Sequence, residues 1–315
     1  MMKKVIVTGA TGSIGVALIQ QLIRHDIYVI AVIRGGSKRK KNIPIHEKVK
    51  IVELSLERIN ELPELLKKDG LEKCDVFYHF GWDGTFGNSR NNVRGQMQNI
   101  QYTLDAVEVA VQLGCEKFIG AGSQAEYGRV DRQKLSALTP TFPENGYGIA
   151  KLCAGQMSRL MCEQKNVCHI WTRILSVYGP CDGPDTLIMS VIRNLTHNET
   201  PMLTAGEQQW DYLYSKDAGR AMYLLGEKGV HGKTYCIGSG RTRTIKEYVE
   251  IIKKNIDTTA RLGWGELPYS DKQVMYLCAD IEELKNDTGF ELQYSFERGI
   301  AETIKWYKEQ NDEED

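Results

Sequence analysis

The segment that most restricts what this chain can become lies at its start. Residues Lys3-Lys-Val-Ile-Val-Thr8 form a short β-branched run, followed at once by Gly9-Ala-Thr-Gly12-Ser-Ile-Gly15. From Val16 to Arg24 the pattern then turns helical, with Ile14, Leu18 and Leu22 recurring on one face, as a helix packed on a sheet requires. A strand, a glycine turn and a helix in that order are the context in which glycines bind a dinucleotide. The glycines let the backbone turn sharply and approach a pyrophosphate, while the helix start offers free N–H groups and the positive end of its dipole. The spacing is Gly-x-x-Gly-x-x-Gly rather than the commoner Gly-x-Gly-x-x-Gly. Gly9, Thr11, Gly12, Ser13, Ile14 and Gly15 are therefore candidate cofactor contacts.

Apolar runs at 27–33, 49–54, 75–80, 117–122 and 167–175 read as further strands, most of them separated by helical patterns that include a long one at 92–113. Alternating βαβ units predict an α/β fold: a doubly wound, Rossmann-type parallel sheet with helices on both faces. After Pro180 the alternation fades, and helices at 187–196, 216–225 and 244–256 stand among Gly-rich and Pro-rich connections. The expected division is a dinucleotide-binding domain over 1–175, with contributions from about 210–240, and a smaller, mainly substrate-binding region over 176–315. The acidic tail from Glu309 is expected to fray.

Tyr147-Gly-Ile-Ala-Lys151 carries the chemistry. On a helix Tyr147 and Lys151 share one face, one turn apart. A phenol with an ordinary pKa of about 10 is a poor base near neutrality, and an ammonium beside it favours the phenolate. Such a pair suits proton transfer between an alcohol and a ketone. Tyr-x-x-x-Lys also arises by chance on solvated helices, so its weight comes from the other motifs.

Thr8-Gly-Ala-Thr-Gly-Ser-Ile-Gly15, Gly122-Ser-Gln-Ala-Glu-Tyr-Gly128, Tyr147-x-x-x-Lys151 and Arg173-Ile-Leu-Ser-Val-Tyr-Gly-Pro180 follow one another along nearly the whole chain. In this order they resemble the extended short-chain dehydrogenases/reductases, the nucleotide-sugar epimerase/dehydratase/reductase family. The resemblance implies that Ser123 would hydrogen-bond the sugar oxygen at C4, Tyr147 would move its proton, and Lys151 would hold the cofactor ribose and tune Tyr147. It also places Leu56, Phe80, Gly81 and Asn99 beside the cofactor, and Ser176 and Trp210 beside the substrate, a nucleotide-diphosphate sugar.

Departures from the family pattern narrow the reaction. Where dehydrating relatives carry an Asp-Glu pair, this chain has Gln124 and Ala125, neither of which does acid–base work. Glu126 is displaced by one residue and on a strand end would point the other way. That leaves 4-ketoreduction or 4-epimerisation. An acid for the adenosine ribose is replaced by Ile33, with Arg34 next and Lys38 and Arg39 close behind, which favours NADP(H), with NAD(H) the alternative. A reductase must exchange its cofactor every turnover, so the expectation leans to an NADPH-dependent 4-ketoreductase of a deoxysugar nucleotide. An NAD-dependent 4-epimerase is the alternative. Ser55 stands where many relatives place an aspartate against the adenine. Trp210 replaces an arginine that grips the diphosphate, leaving Arg193, Arg220, Arg241 and Arg243 as other partners for it. Asp217 reads as a structural cap for a helix beginning near Ala218.

Other function classes find little support. A net charge of -1 offers no footprint for nucleic acid, and the one basic cluster, Lys38-Arg-Lys-Lys41, reads as a solvated loop. No stretch approaches the roughly 20 apolar residues that span a bilayer, and no signal peptide is evident. Eight scattered cysteines without a Cys-x-x-Cys pair suggest reduced thiols in the cytoplasm, and six dispersed histidines show no metal-ligand spacing. His79 ends a buried strand beside the cofactor rather than acting as a catalyst. A catalytically inert dinucleotide sensor or scaffold is disfavoured because Ser123, Tyr147 and Lys151 are all present. The helices at 92–113 and 147–165 are candidates for a homodimer contact, or equally for packing on the sheet.

Overall fold

The computed structural model describes residues 2–312. In chain order its elements are β1 (Lys4–Thr8), α1 (Ser13–Arg24), β2 (Tyr28–Ile33), β3 (Val49–Glu53), α2 (Leu62–Lys68), β4 (Val76–His79), α3 (Val93–Gln112), β5 (Lys117–Ser123) and α4 (Gly146–Gln164). There follow β6 (Cys168–Ile174), β7 (Ser176–Tyr178), α5 (Leu187–Thr196), β8 (Gln209–Trp210), β9 (Tyr212–Tyr214), α6 (Ser215–Lys228), β10 (Thr234–Ile237), β11 (Arg243–Thr244), α7 (Ile245–Ile256), α8 (Glu282–Thr288) and α9 (Phe296–Asp312).

Seven strands form one parallel sheet in the order β10-β6-β5-β4-β1-β2-β3, the Rossmann arrangement. The alternation of side chains along each strand divides its apolar residues between two cores. Val5, Val7, Val29 and Ala31 face α1 and α6, packing on Leu18, Leu22, Ala221 and Leu225. Ile6, Ile30, Val32 and Val52 face the other way, onto Leu62 and Leu66 of α2 and Ala106 and Ala110 of α3. A third core joins α5, α7 and α9 through Ile192, Val249 and Ile300. Burial on both faces explains why these strands read as unbroken apolar runs.

The strand order reverses between β1 and β4, which opens a crevice at the carboxyl ends of the strands, where ligands of such sheets bind. Two short two-stranded sheets, β7 with β9 and β8 with β11, build the far side of that crevice. They are too short for periodicity to reveal.

Two expectations are corrected. Asp217 does not cap α6: the helix starts at Ser215, and the Asp217 carboxylate instead accepts the amides of Gln293 and Tyr294, tying down the segment before α9. The stretch from Glu309 does not fray at once, because α9 continues to Asp312; residues 313–315 lie outside the described residues. The Lys38–Asn42 cluster is a solvated 3-10 turn, with Lys40 paired to Glu53 at 2.8 Å. Among the described residues, no helix is long and apolar enough to cross a membrane and no side-chain cluster could hold a metal ion.

Candidate active site

The turn after β1 is shaped by Gly9, whose φ of +66° belongs to the left-handed region, and a Cβ there would lie 2.6 Å from the Phe80 carbonyl carbon. The turns after β1 and β4 are thereby pressed together. Gly12 is the N-cap of α1, with no side-chain cap and no acid in the first turn, so its first amides remain available to an anion. Gly9, Thr11, Gly12, Ser13, Ile14 and Gly15 all line a cavity of about 440 Å³. Arg34, Leu56, Phe80, Gly81, Ser123, Tyr147 and Lys151 line the same cavity. An elongated cleft, open amides at a helix start and an arginine beyond β2 fit a dinucleotide.

Two expected cofactor contacts are placed elsewhere. Ser55 is not on the cavity wall, although Leu54 and Leu56 on either side of it are. Asn99 is buried near the end of the second turn of α3, where its amide clamps the backbone of Asp83, accepting from its N–H at 2.9 Å and donating to its C=O at 2.8 Å. It holds the loop after β4 rather than facing the cleft.

A second cavity of about 400 Å³ adjoins the first and shares Ser123, Tyr147, Leu175, Val177 and Asp182 with it. Ser176 and Trp210 line it, and the Trp210 indole donates to Ser176 Oγ at 2.7 Å. Arg193, Arg220, Arg241 and Arg243 do not line it. Arg220 donates to the Glu291 carbonyl, Arg243 pairs with Glu297 at 2.5 Å, and Arg193 lies 4.0 Å from Asp185. The wall carries one arginine that sequence reasoning missed, Arg90, from the 3-10 turn Gly87–Asn91.

Where the cavities meet, Ser123 ends β5 and caps the 3-10 turn that follows, its hydroxyl accepting the Ala125 amide at 3.2 Å. Tyr147 lies in the first turn of α4, capped by Asn145 through the Gly148 amide at 2.8 Å. Burial raises the Tyr147 phenol, while a hydrogen bond with Ser123 and the charge of Arg90 pull it down; Glu126 raises it. Lys151 donates to the Ala121 carbonyl at 2.6 Å and lies 3.6 Å from the Trp82 ring centroid, against 5.8 Å from that of Tyr147. Burial pulls the Lys151 ammonium down to about 7, partly opposed by Glu126.

Glu126 points away from the cleft. It accepts the Ser123 amide at 2.8 Å, the Trp171 indole at 3.0 Å and the Arg173 guanidinium at 2.9 Å, all buried. The Trp171 ring fills a slot bounded by Gly120, Gly122 and Gly155, where added Cβ atoms would lie 2.2, 2.2 and 2.6 Å from it. His79 is sealed between Thr8 Oγ1 at 3.0 Å and Thr103 Oγ1 at 3.4 Å, and burial pulls its pKa down to about 3, so it stays neutral. It is structural, as its position on the strand predicts. All eight cysteines are unpaired.

Sheet order, glycine turn and the meeting of Ser123, Tyr147 and Lys151 define a dinucleotide-dependent oxidoreductase class. The chain belongs to the NAD dependent epimerase/dehydratase family, whose family model matches residues 5–238, and it is an enzyme of the extended short-chain dehydrogenase/reductase type. It is 25% identical to CDP-abequose synthase of Salmonella muenchen, over 96% of this chain and 97% of that one. It is 26% identical to dTDP-4-dehydro-6-deoxyglucose reductase of Escherichia coli, over 96% of each. The fold superposes on a UDP-N-acetylglucosamine 4-epimerase from Methanobrevibacter ruminantium M1 in complex with UDP-N-acetylmuramic acid, with a TM-score of 0.88 and 24% identity over 98% of this chain and 99% of that one. A UDP-glucuronic acid 4-epimerase from Bacillus cereus in complex with NAD gives 0.84 and 20%, over 98% and 99%.

Proposed function

We propose that this enzyme transfers hydride at C4 of a nucleotide-diphosphate sugar, as an NADPH-dependent 4-ketoreductase of a deoxysugar nucleotide. The observation that carries the reading is the meeting of Ser123 and Tyr147 at the junction of the two cavities, with Lys151 beside them on the wall of the first and the nearby carboxylate of Glu126 already committed to Arg173 and Trp171. A bound nicotinamide supplies the hydride to the carbonyl carbon. The Ser123 hydroxyl holds the carbonyl oxygen, and Tyr147 delivers the proton to it, so ketone becomes alcohol. Lys151 offsets charge on the Tyr147 oxygen and holds the cofactor ribose. Gln124 and Ala125 supply neither acid nor base for a dehydration, which supports reduction over elimination.

The full-length likeness to a dTDP-4-dehydro-6-deoxyglucose reductase supports the same choice. Arg34 and Arg39 both line the cleft beyond β2, where a 2′-phosphate would lie, which supports NADPH. The second reading is NAD-dependent 4-epimerisation. It is favoured by the Arg34–Asp83 contact at 3.5 Å, which gives that guanidinium another partner, and by the presence of 4-epimerases among the solved likenesses, one of them in complex with NAD. Two incubations decide between them, one with NADPH and dTDP-4-dehydro-6-deoxyglucose and one with NAD and a nucleotide sugar that carries a hydroxyl at C4, such as UDP-glucose. Oxidation of NADPH with formation of the alcohol supports the ketoreductase, whereas retained NAD with interconversion of C4 epimers replaces it by the epimerase. An inert sensor would show neither.

The unpaired cysteines support a reducing, cytoplasmic setting. The exposed apolar residues Val93 and Met97 of α3 and Ile149, Met157 and Leu160 of α4 support a homodimer through these two helices.

A further inference from the structure

We propose that Arg90 is a positioning residue for proton transfer: its guanidinium, stacked on the Tyr147 ring, biases that phenol toward its ionised form. The inference rests on the reading of Tyr147 as the proton-transfer group. Three observations carry it.

First, the Arg90 guanidinium carbon lies 4.5 Å from the Tyr147 ring centroid, in cation–π range, and the side chain is half-buried on the wall of the substrate cavity. Second, the placement is built into the fold. Asn91 Oδ1 accepts the Gly146 amide at 3.1 Å, and a Cβ on Gly146 would lie 3.0 Å from the Arg90 carbonyl oxygen. On its other side the turn is held by Gln96, which donates to the Ser89 carbonyl at 3.1 Å. The turn carrying Arg90 and the helix carrying Tyr147 are docked backbone to backbone. Third, among the described residues no carboxylate comes within ion-pair distance of Arg90, so its charge is not neutralised elsewhere.

The groups that face Tyr147 divide by sign. Arg90 from the turn before α3 and the Ser123 hydroxyl from β5 favour the phenolate, while Glu126 behind β5 and burial itself oppose it. Asp182 stands on the same cavity wall, held by the Gly183 amide at 2.7 Å and the Thr186 hydroxyl at 2.9 Å, and burial raises its carboxyl to about 6. Lys151 from the next turn of α4 is anchored on Ala121 and Trp82, and near neutral pH a large share of it is uncharged. A guanidinium stays charged at every accessible pH. The two cations therefore differ in kind: the influence of Lys151 varies with pH and that of Arg90 does not.

The test is a titration of Tyr147 in the NADPH-saturated protein by NMR of 13Cζ-labelled tyrosine, with the signal assigned by its loss in Tyr147→Phe. Arg90→Met is expected to raise the midpoint by about one pH unit, and Arg90→Lys to restore at least half of that shift. Arg90→Gln provides the same reading should the methionine variant not fold. An unchanged midpoint in folded Arg90→Met overturns the inference, as does a Tyr147 that stays protonated to about pH 11 in both proteins. Turnover of Tyr147→Phe separates this result from the function. A dead Tyr147→Phe together with an unmoved midpoint in Arg90→Met sinks only the role of Arg90, and an active Tyr147→Phe together with a shifted midpoint in Arg90→Met sinks only the role of Tyr147.

Discussion

The Lys151 ammonium lies against the face of the Trp82 indole, 3.6 Å from its centroid, rather than against the phenol one turn earlier on its own helix. The helical spacing of Tyr147 and Lys151 puts both on one face, and the indole then selects where the charge rests. Burial in that place pulls Lys151 to about 7, whereas an unfolded lysine titrates near 10.4.

Between those values the unfolded chain binds more protons than the folded one, so the contribution of Lys151 to stability rises with pH through this window. Below it the full cost of burying the charge is present. Lys151→Met is expected to be more stable than the parent by on the order of 2 kcal/mol near pH 6, after allowing for the lost bond to Ala121, with the difference shrinking toward pH 10. Urea midpoints across that range check it; a methionine variant weaker at every pH would refute it.

Tyr147→Phe removes the proton donor and keeps the ring between Arg90 and Trp82. Turnover is expected to fall by about 10³-fold while nicotinamide binding changes little. Ser123→Ala is expected to cost about 10²-fold in kcat. Assays on the confirmed sugar nucleotide, with cofactor titrations by fluorescence, measure both.

Arg34 lines the cleft just past the end of β2, 3.5 Å from Asp83 and largely in solvent. Arg34→Ala is expected to weaken NADPH by about 10-fold or more and NADH by less than about 3-fold. Equal losses would remove the 2′-phosphate argument.

The buried pair of Glu126 and Arg173 is a stability element. Removing one partner of such a pair leaves an uncompensated charge, so Glu126→Ala is expected to cost about 3–5 kcal/mol in chemical unfolding. A small loss would mean that water reaches Arg173.

The exposed apolar residues of α3 and α4 give a test of association. Met97→Asp with Ile149→Asp is expected to convert a dimer to monomer in sedimentation equilibrium without loss of helicity. A monomeric parent protein excludes the dimer.

The parallel sheet was legible because its strands, buried on both faces, are unbroken apolar runs, and the glycine turn because its spacing and context serve a physical demand. Ser123, Tyr147 and Lys151 were legible as motifs. Arg90 was not, since it lies on an irregular turn in a polar stretch, and only docking against Gly146 brings it over Tyr147. Asn99 was misplaced for a related reason. Its position along α3 is right for the cleft, but whether an amide faces the ligand or the neighbouring loop is decided by tertiary packing. The short strands of the C-terminal region carry two or three residues each, too few for a period of two to declare itself.

The slot that Gly120, Gly122 and Gly155 leave for Trp171 has a consequence for how this enzyme can change. Any side chain added on those three positions must evict an indole, so the wall that presents Ser123 has almost no freedom to drift. The opposite wall, with Ser176, Thr186 and Trp210 on short, irregular elements, has no such lock. New sugar preferences, whether selected in nature or sought by engineering, have one side of the site to work with.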